Sequence, residues 1–204
     1  MRKNYYLVAA AALFFALTIS PAISYAAETT VLICDSILAG FKCELDNFYN
    51  LGKAGQEVNK YQETDLNKQI EKLKPNRIFI MLGINDLGKV GDEPPVDKDM
   101  LFVYYVRMLA MIREVSGAKI YIFSILPVNN LIHGDGYRLD NGAIRYVNAR
   151  LKGICDGEKL YFIDLDGYFA DESGMLNKNY TEDGLHILPA SHPLVYYNII
   201  SNIR

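Results

Sequence analysis

The feature that most constrains the fold is an alternation of short apolar, β-prone runs with amphipathic helical stretches. The runs are almost continuously apolar, which is typical of strands covered on both faces, as in a parallel sheet. They are Val31–Cys34, Phe48–Leu51, Arg77–Leu82, Lys119–Ile125 and Lys159–Ile163. Apolar residues at helical spacing predict helices at about Glu63–Leu73, Lys98–Ser116, Asn141–Cys155 and Pro189–Ile203. The alternation predicts an α/β fold, a three-layer α/β/α sandwich around a five-stranded parallel sheet.

Residues 1–26 differ from the rest of the chain. A basic start is followed by the apolar run Leu7–Ile19, then by Pro21 and by the small residues of Ser24-Tyr25-Ala26. This pattern predicts a cleaved secretory signal peptide, and a mature chain of residues 27–204 that forms one exported domain, periplasmic or secreted. A retained anchor is the alternative, but the apolar run is shorter than the roughly 20 residues that span a bilayer. We therefore expect no stable membrane insertion after cleavage.

Composition excludes several functions. The net charge is −3 and the basic residues are scattered, so the chain lacks the basic stripe of a nucleic-acid binder. Its three cysteines, Cys34, Cys43 and Cys155, show no Cys–His spacing typical of zinc sites, and we expect no metal. An oxidising compartment permits a Cys43–Cys155 disulfide, whose geometry the sequence does not test.

Residues typical of turns and of functional sites follow the ends of three predicted strands. Ser36 comes after the first, Gly52 after the second and Asn85 after the third, and an Asp183-x-x-His186 motif precedes the last helix. Each alone is typical of turns and helix caps. Ligands of open α/β sheets bind beyond the carboxyl ends of the strands, so together these residues predict a site at that edge.

The order of these blocks resembles that of the SGNH (GDSL-like) hydrolase family, over essentially all of the chain from Val31 to the final helix. The resemblance implies a flavodoxin-like fold, no cofactor, and an oxyanion hole made of the Ser36 and Gly52 N–H groups and the Asn85 side chain. One position departs from the family pattern: Cys34 stands where Gly usually precedes the Asp-Ser pair. Gly there eases close approach of the nucleophile turn, so Cys34 puts the fine shape of that turn in question.

Elementary chemistry supports the same residues. A serine hydroxyl is a poor nucleophile until a base takes its proton, and imidazole does this near neutral pH. We expect His186 to serve Ser36, with the Asp183 carboxylate orienting the imidazole. His192 is the rival base, but it has no aspartate three residues before it.

These residues predict an exported serine esterase that forms an acyl-enzyme on Ser36. We expect short-acyl, for example acetyl, esters of small molecules or glycans as substrates. An O-acyltransferase and a non-catalytic glycan-binding protein are the alternatives. The segments Asp86–Lys98 and Val128–Leu139 are the candidate pocket rim, with lining from Phe41, Leu87 and Tyr137.

Overall fold

The computed structural model describes residues 28–88, 94–130 and 139–202, so the predicted signal peptide lies outside the described residues. Within them the chain forms one parallel sheet of five strands in the order β2-β1-β3-β4-β5. The strands are β1 (Thr30–Cys34), β2 (Phe48–Asn50), β3 (Arg77–Met81), β4 (Lys119–Phe123) and β5 (Leu160–Ile163). Every predicted strand is present, and the predicted α/β fold is confirmed.

The strand order explains where a site forms. After β1 the chain builds β2 on one side and then returns to build β3 on the other side of β1. In open parallel sheets, right-handed crossovers place the helices on opposite faces at such a reversal, which predicts a crevice at the carboxyl ends of β1 and β3. The segments that follow these two strands carry Ser36 and Asn85.

The helices agree with the predicted ones except near their ends. They are α1 (Leu66–Leu73), α2 (Ile84–Leu87), α3 (Lys98–Val115), α4 (Asn141–Ile154), α5 (Asp166–Phe169) and α6 (His192–Asn202). Short 3₁₀ turns, Tyr61–Glu63 and Pro189–Ser191, replace the first residues of two predicted helices. Thr64 separates the first turn from α1, because its hydroxyl donates to Tyr61 O and accepts from Leu66 N–H. The one-turn helices α2 and α5 were not predicted, since four residues carry no periodicity.

The core lies at the three central strands. All five residues of β1 are buried, and so are the last four of β3 and of β4. Phe79 stacks on Tyr121 at 4.6 Å between ring centroids, and Tyr121 stacks on Tyr161 at 4.8 Å, which ties three strands together on one face. The edge strands β2 and β5 are less buried. Two of the strands that lead into the site, β1 and β3, therefore belong to the buried centre of the sheet.

The three cysteines are free thiols, and the Cys43–Cys155 bond is not formed. Cys43 lies in the loop before β2 and Cys155 in the loop before β5, the two opposite edges of the sheet. Adjacent strands are about 4.8 Å apart, so the two loops belong to strands roughly 19 Å apart, beyond the reach of a disulfide.

No helix in the described part of the chain has both the length and the apolar character needed to cross a bilayer.

Candidate active site

The structure brings Ser36, His186 and Asp183 into one hydrogen-bonded chain. Ser36 Oγ lies 2.9 Å from His186 Nε2, and His186 Nδ1 lies 2.6 Å from Asp183 Oδ2. A proton on Nδ1 donates to the carboxylate and leaves Nε2 free to accept from the serine hydroxyl. This is the geometry of a nucleophile, a base and a group that orients the base.

A tight local turn holds the Asp183 carboxylate against His186. Its Oδ1 accepts the backbone N–H groups of Leu185 and His186 at 2.9 and 2.8 Å. Partial burial opposes ionisation of Asp183, but the bonds from the His186 ring and from these N–H groups outweigh it and lower the pKa to about 2. The carboxylate is therefore charged at neutral pH. It is also well exposed, as the side chains of Asp183 and His186 are 47% and 44% accessible.

The nucleophile turn, in contrast, contains a buried acid. Asp35 is 1% exposed, and its Oδ1 accepts the N–H of Ile37 at 3.0 Å. Burial raises the pKa of Asp35 to about 7, although the Ile37 N–H and the nearby His186 act in the opposite direction. The bond between Asp35 and Ile37 spans Ser36 and fixes the backbone on both sides of its Cα.

Asn85 and Asp86 lie in α2, directly after β3. Asn85 Nδ2 donates to Gln56 O at 3.1 Å, which uses one of its two amide hydrogens. The buried Asp86 carboxylate accepts the N–H groups of Val58 and Asn59, both at 2.9 Å. Burial raises the pKa of Asp86 to about 6 against the effect of these bonds. Together the two side chains fix the loop after β2 against the end of β3.

Gly52 does not offer a free donor. Its N–H donates to Asn50 Oδ1 at 2.8 Å. A Cβ at Gly52 would lie 2.1 Å from Cys34 Sγ and 2.8 Å from Asn50 Oδ1, so the thiol fills the space that a side chain would need. Cys34 thus fits the turn because its neighbour is Gly, and burial raises the pKa of its thiol far above the usual range. We regard Cys34 as a packing residue here.

Gly55 lies in the same loop and was not among the site residues predicted from sequence. It occupies the left-handed region at φ 73° in a turn closed by the Gln56 N–H donating to Lys53 O at 3.1 Å. Within the described residues, the N–H groups of Ser36 and Gly55 have no hydrogen-bond acceptor. Both glycines are visible in the Gly-x-x-Gly pattern, but only the hydrogen bonds distinguish the occupied donor from the open one.

The other residues considered from sequence lie as follows. His192 packs edge-on against Phe41, with 5.5 Å between ring centroids, while the base position beside Ser36 is taken by His186. Phe41 borders a groove of about 230 Å³ with His192 and Tyr196, and Leu87 is buried. Tyr137 lies outside the described residues. In residues 28–88, 94–130 and 139–202, no group of three His, Cys, Asp or Glu side chains forms a metal site.

Comparison with known proteins adds a family and a fold. The family model described as GDSL-like lipase/acylhydrolase matches residues 35–193. An N-acylneuraminate cytidylyltransferase of Escherichia coli O18:K1:H7 is 35% identical over 138 residues, which is 67% of this chain but only 30% of that protein. The chain thus spans less than a third of that relative's length.

Solved structures show the same fold at low identity. A GDSL-like lipase from Bacteroides thetaiotaomicron superposes with a TM-score of 0.71 at 21% identity, covering 86% of this chain and 87% of that one. The acetyl xylan esterase AlAXEase superposes with a TM-score of 0.66 at 15% identity, covering 86% of this chain and 100% of that one.

Proposed function

The chain belongs to the GDSL-like lipase/acylhydrolase family, and from that premise we propose that this ester hydrolase is an exported serine esterase that releases short acyl groups, acetyl above all, from sugar hydroxyls. The observation that carries the proposal is the hydrogen-bonded chain from Ser36 Oγ through His186 to Asp183. It lies at the sheet edge where open α/β folds bind ligands.

The reaction follows from this geometry in two halves. His186 Nε2 takes the Ser36 proton as Oγ attacks the ester carbonyl, and the resulting imidazolium returns the proton to the departing alcohol. The acyl group remains on Ser36 Oγ. Water then attacks this acyl-enzyme with His186 again as base, and the carboxylic acid leaves as the serine is regenerated. The Asp183 carboxylate keeps the Nδ1–H tautomer and stabilises the imidazolium in both halves.

The tetrahedral intermediate needs donors that already point at its oxyanion. We assign this role to the Ser36 N–H, the second amide hydrogen of Asn85 and the Gly55 N–H. Gly55 replaces Gly52 in this set because the Gly52 N–H already has Asn50 Oδ1 as its acceptor. The bond from Asn85 to Gln56 O holds the Asn85 amide beside the residue that follows Gly55.

Two features support a small acyl group and a sugar alcohol. The His186 and Asp183 side chains are nearly half exposed, so an alcohol as large as a sugar reaches them without a deep channel. A fold relative, AlAXEase, is an acetyl xylan esterase, and the E. coli relative bears the name of an N-acylneuraminate enzyme. Export rests on the basic and apolar pattern of residues 1–26.

The test is a substrate panel run on the mature chain. It pairs p-nitrophenyl acetate, butyrate and octanoate with acetylated xylo-oligosaccharides and an O-acetylated N-acylneuraminate. We expect kcat/KM to fall with acyl length and at least one acetylated sugar to be hydrolysed, with no turnover by the Ser36→Ala protein. A preference for octanoate would overturn the short-acyl proposal, and full activity of Ser36→Ala would overturn the mechanism.

Two additions to the panel separate the alternatives. Product analysis with an excess of free sugar acceptor distinguishes hydrolysis from transfer, because only transfer yields an acylated acceptor. Labelling by a fluorophosphonate probe tests whether Ser36 is nucleophilic. A folded chain that takes up no label would favour a binding protein.

A further inference from the structure

Asn50, the last residue of β2, uses its whole side-chain amide to join backbone segments. Its Nδ2 donates to the carbonyls of Leu38 and Phe41 at 2.9 Å and of Ala39 at 3.2 Å. Its Oδ1 accepts the Gly52 N–H at 2.8 Å and the Cys34 thiol at 3.4 Å. Two hydrogens thus serve three carbonyls, and the oxygen accepts two donors.

These contacts lie on both sides of the proposed oxyanion site. Leu38, Ala39 and Phe41 belong to the segment that follows Ser36, and Cys34 precedes the Asp35-Ser36 pair. Gly52 begins the loop that leads to Gly55. The backbone itself joins these segments by the Lys53 N–H donating to Cys34 O at 3.0 Å, just beyond the end of β2.

The position of this bridge matters because β2 is short and at the edge of the sheet. It contributes three residues and pairs only with β1 among the described strands. Backbone bonds to β1 continue past β2 at Leu51 and Lys53, but among the described residues the N–H groups of Ala54 and Gly55 make none. The Gly55 N–H must nevertheless lie within a few tenths of an ångström of its productive place. A fixed side-chain bridge supplies what the edge strand lacks.

We propose that Asn50 is a positioning residue for the esterase, which holds the Gly52–Gly55 loop and the nucleophile turn at a fixed separation so that their N–H groups converge on one oxyanion. This inference rests on the proposed function. Asn50 does not contact substrate in this scheme, and its effect is on the transition state. The same side chain satisfies the carbonyls of residues 38–41, so it also contributes to stability.

The test measures p-nitrophenyl acetate turnover and inhibition by an aryl boronic acid, which forms a tetrahedral adduct on serine. We expect Asn50→Ala to lower kcat by about 10- to 100-fold at temperatures well below its Tm, with KM changed less than about three-fold. The boronic acid should bind more weakly by a similar factor, because it relies on the same donors. Asn50→Ser, which keeps a small polar group, is the second variant should Asn50→Ala not fold.

Asn148 provides the matched structural control. It is another asparagine that bonds to backbone, here from a buried position: it accepts from Ile125 N–H and donates to Ile125 O, both at 2.9 Å, on the β4 side of the sheet. Asn148→Ala should lower Tm and leave kcat and boronic acid affinity within about three-fold of the parent.

Two results would overturn the inference. One is an Asn50 variant that folds and keeps the parental kcat and boronic acid affinity. The other is an Asn148→Ala protein that loses kcat as much as the Asn50 variant does, since both would then act only through stability. Failure of the proposed function looks different: the parent protein itself would lack esterase activity.

Discussion

The two arms of the site are built in opposite ways. The base arm, Asp183 to His186, is a single local turn whose side chains are nearly half exposed. The nucleophile arm combines the ends of β1, β2 and β3. There the buried Asp86 and the half-buried Asn50 hold separate segments together, and the buried Asp35 fixes the turn around Ser36.

The difference reflects what each arm must do. An imidazole base needs its tautomer and its orientation, and a carboxylate three residues away supplies both. The nucleophile turn must also present N–H groups to a charge that exists only in the transition state, and such groups act best when they are fixed beforehand. Local chemistry therefore suffices for one arm, whereas the other depends on tertiary structure.

The largest effect expected is from Ser36→Ala. Removal of the nucleophile should lower kcat on p-nitrophenyl acetate by on the order of 10⁶-fold, as in other serine hydrolases. Ser36 is only partly buried, so Tm should change little. Loss of fluorophosphonate labelling with an unchanged melting curve is the supporting result, and a loss below about ten-fold would assign the nucleophile elsewhere.

Asp183→Asn tests the base arm. The amide retains Oδ1 as an acceptor for Leu185 and His186 N–H, so the turn should persist while the negative charge is lost. We expect kcat to fall by up to about 10⁴-fold, because the wrong tautomer of His186 is then favoured. A loss of less than about ten-fold would show that solvent replaces the carboxylate. The base arm would then depend even less on fixed protein groups than the nucleophile arm does.

Asn85→Ala tests one proposed oxyanion donor of the nucleophile arm. Removal of a single oxyanion donor should lower kcat by about 10²- to 10³-fold and leave KM almost unchanged. Steady-state kinetics separate the two constants. An effect confined to KM would place Asn85 in ground-state binding and remove it from the oxyanion site.

Asp35→Asn tests how the buried acid of the nucleophile arm affects the pH dependence of folding stability. The raised pKa of about 7 means that, between about pH 4 and about pH 7, the folded chain holds a proton that the unfolded chain has lost. The free energy of unfolding should therefore fall as pH rises through this window, with Asp35 contributing a slope of up to about 1.4 kcal/mol per pH unit.

Urea denaturation at several pH values measures that slope. Asp35→Asn should reduce it, while the Asn oxygen still accepts the Ile37 N–H. The surface variant Asp46→Asn, at an exposed position, serves as the control and should leave it unchanged. An equal slope in the Asp35→Asn protein would show that Asp35 is ionised in the folded state throughout the window.

Sequence predicted most of the fold because its signals are local and repeated. The apolar runs located all five strands, and helical spacing located α1, α3, α4 and α6 to within a few residues. Asp183 and His186 were predictable as a pair because they lie three residues apart. The proposed donor set was not predictable, because the choice between Gly52 and Gly55 depends on the bond that the Gly52 N–H donates to Asn50 Oδ1. The Cys43–Cys155 bond, which the sequence left possible, is not formed because the two loops lie at opposite edges of the sheet. Residue spacing does not reveal that strand order.

The pairing of Ser36 with His186 joins residues 150 positions apart, near the two ends of the described chain. A nascent chain therefore presents Ser36 150 positions before it can supply the His186 imidazole. Any fragment that stops before residue 183 lacks both the base and its carboxylate, however well its sheet has formed. We therefore expect the proposed esterase activity to require a chain that extends through residue 186, and a truncation before residue 183 to abolish it.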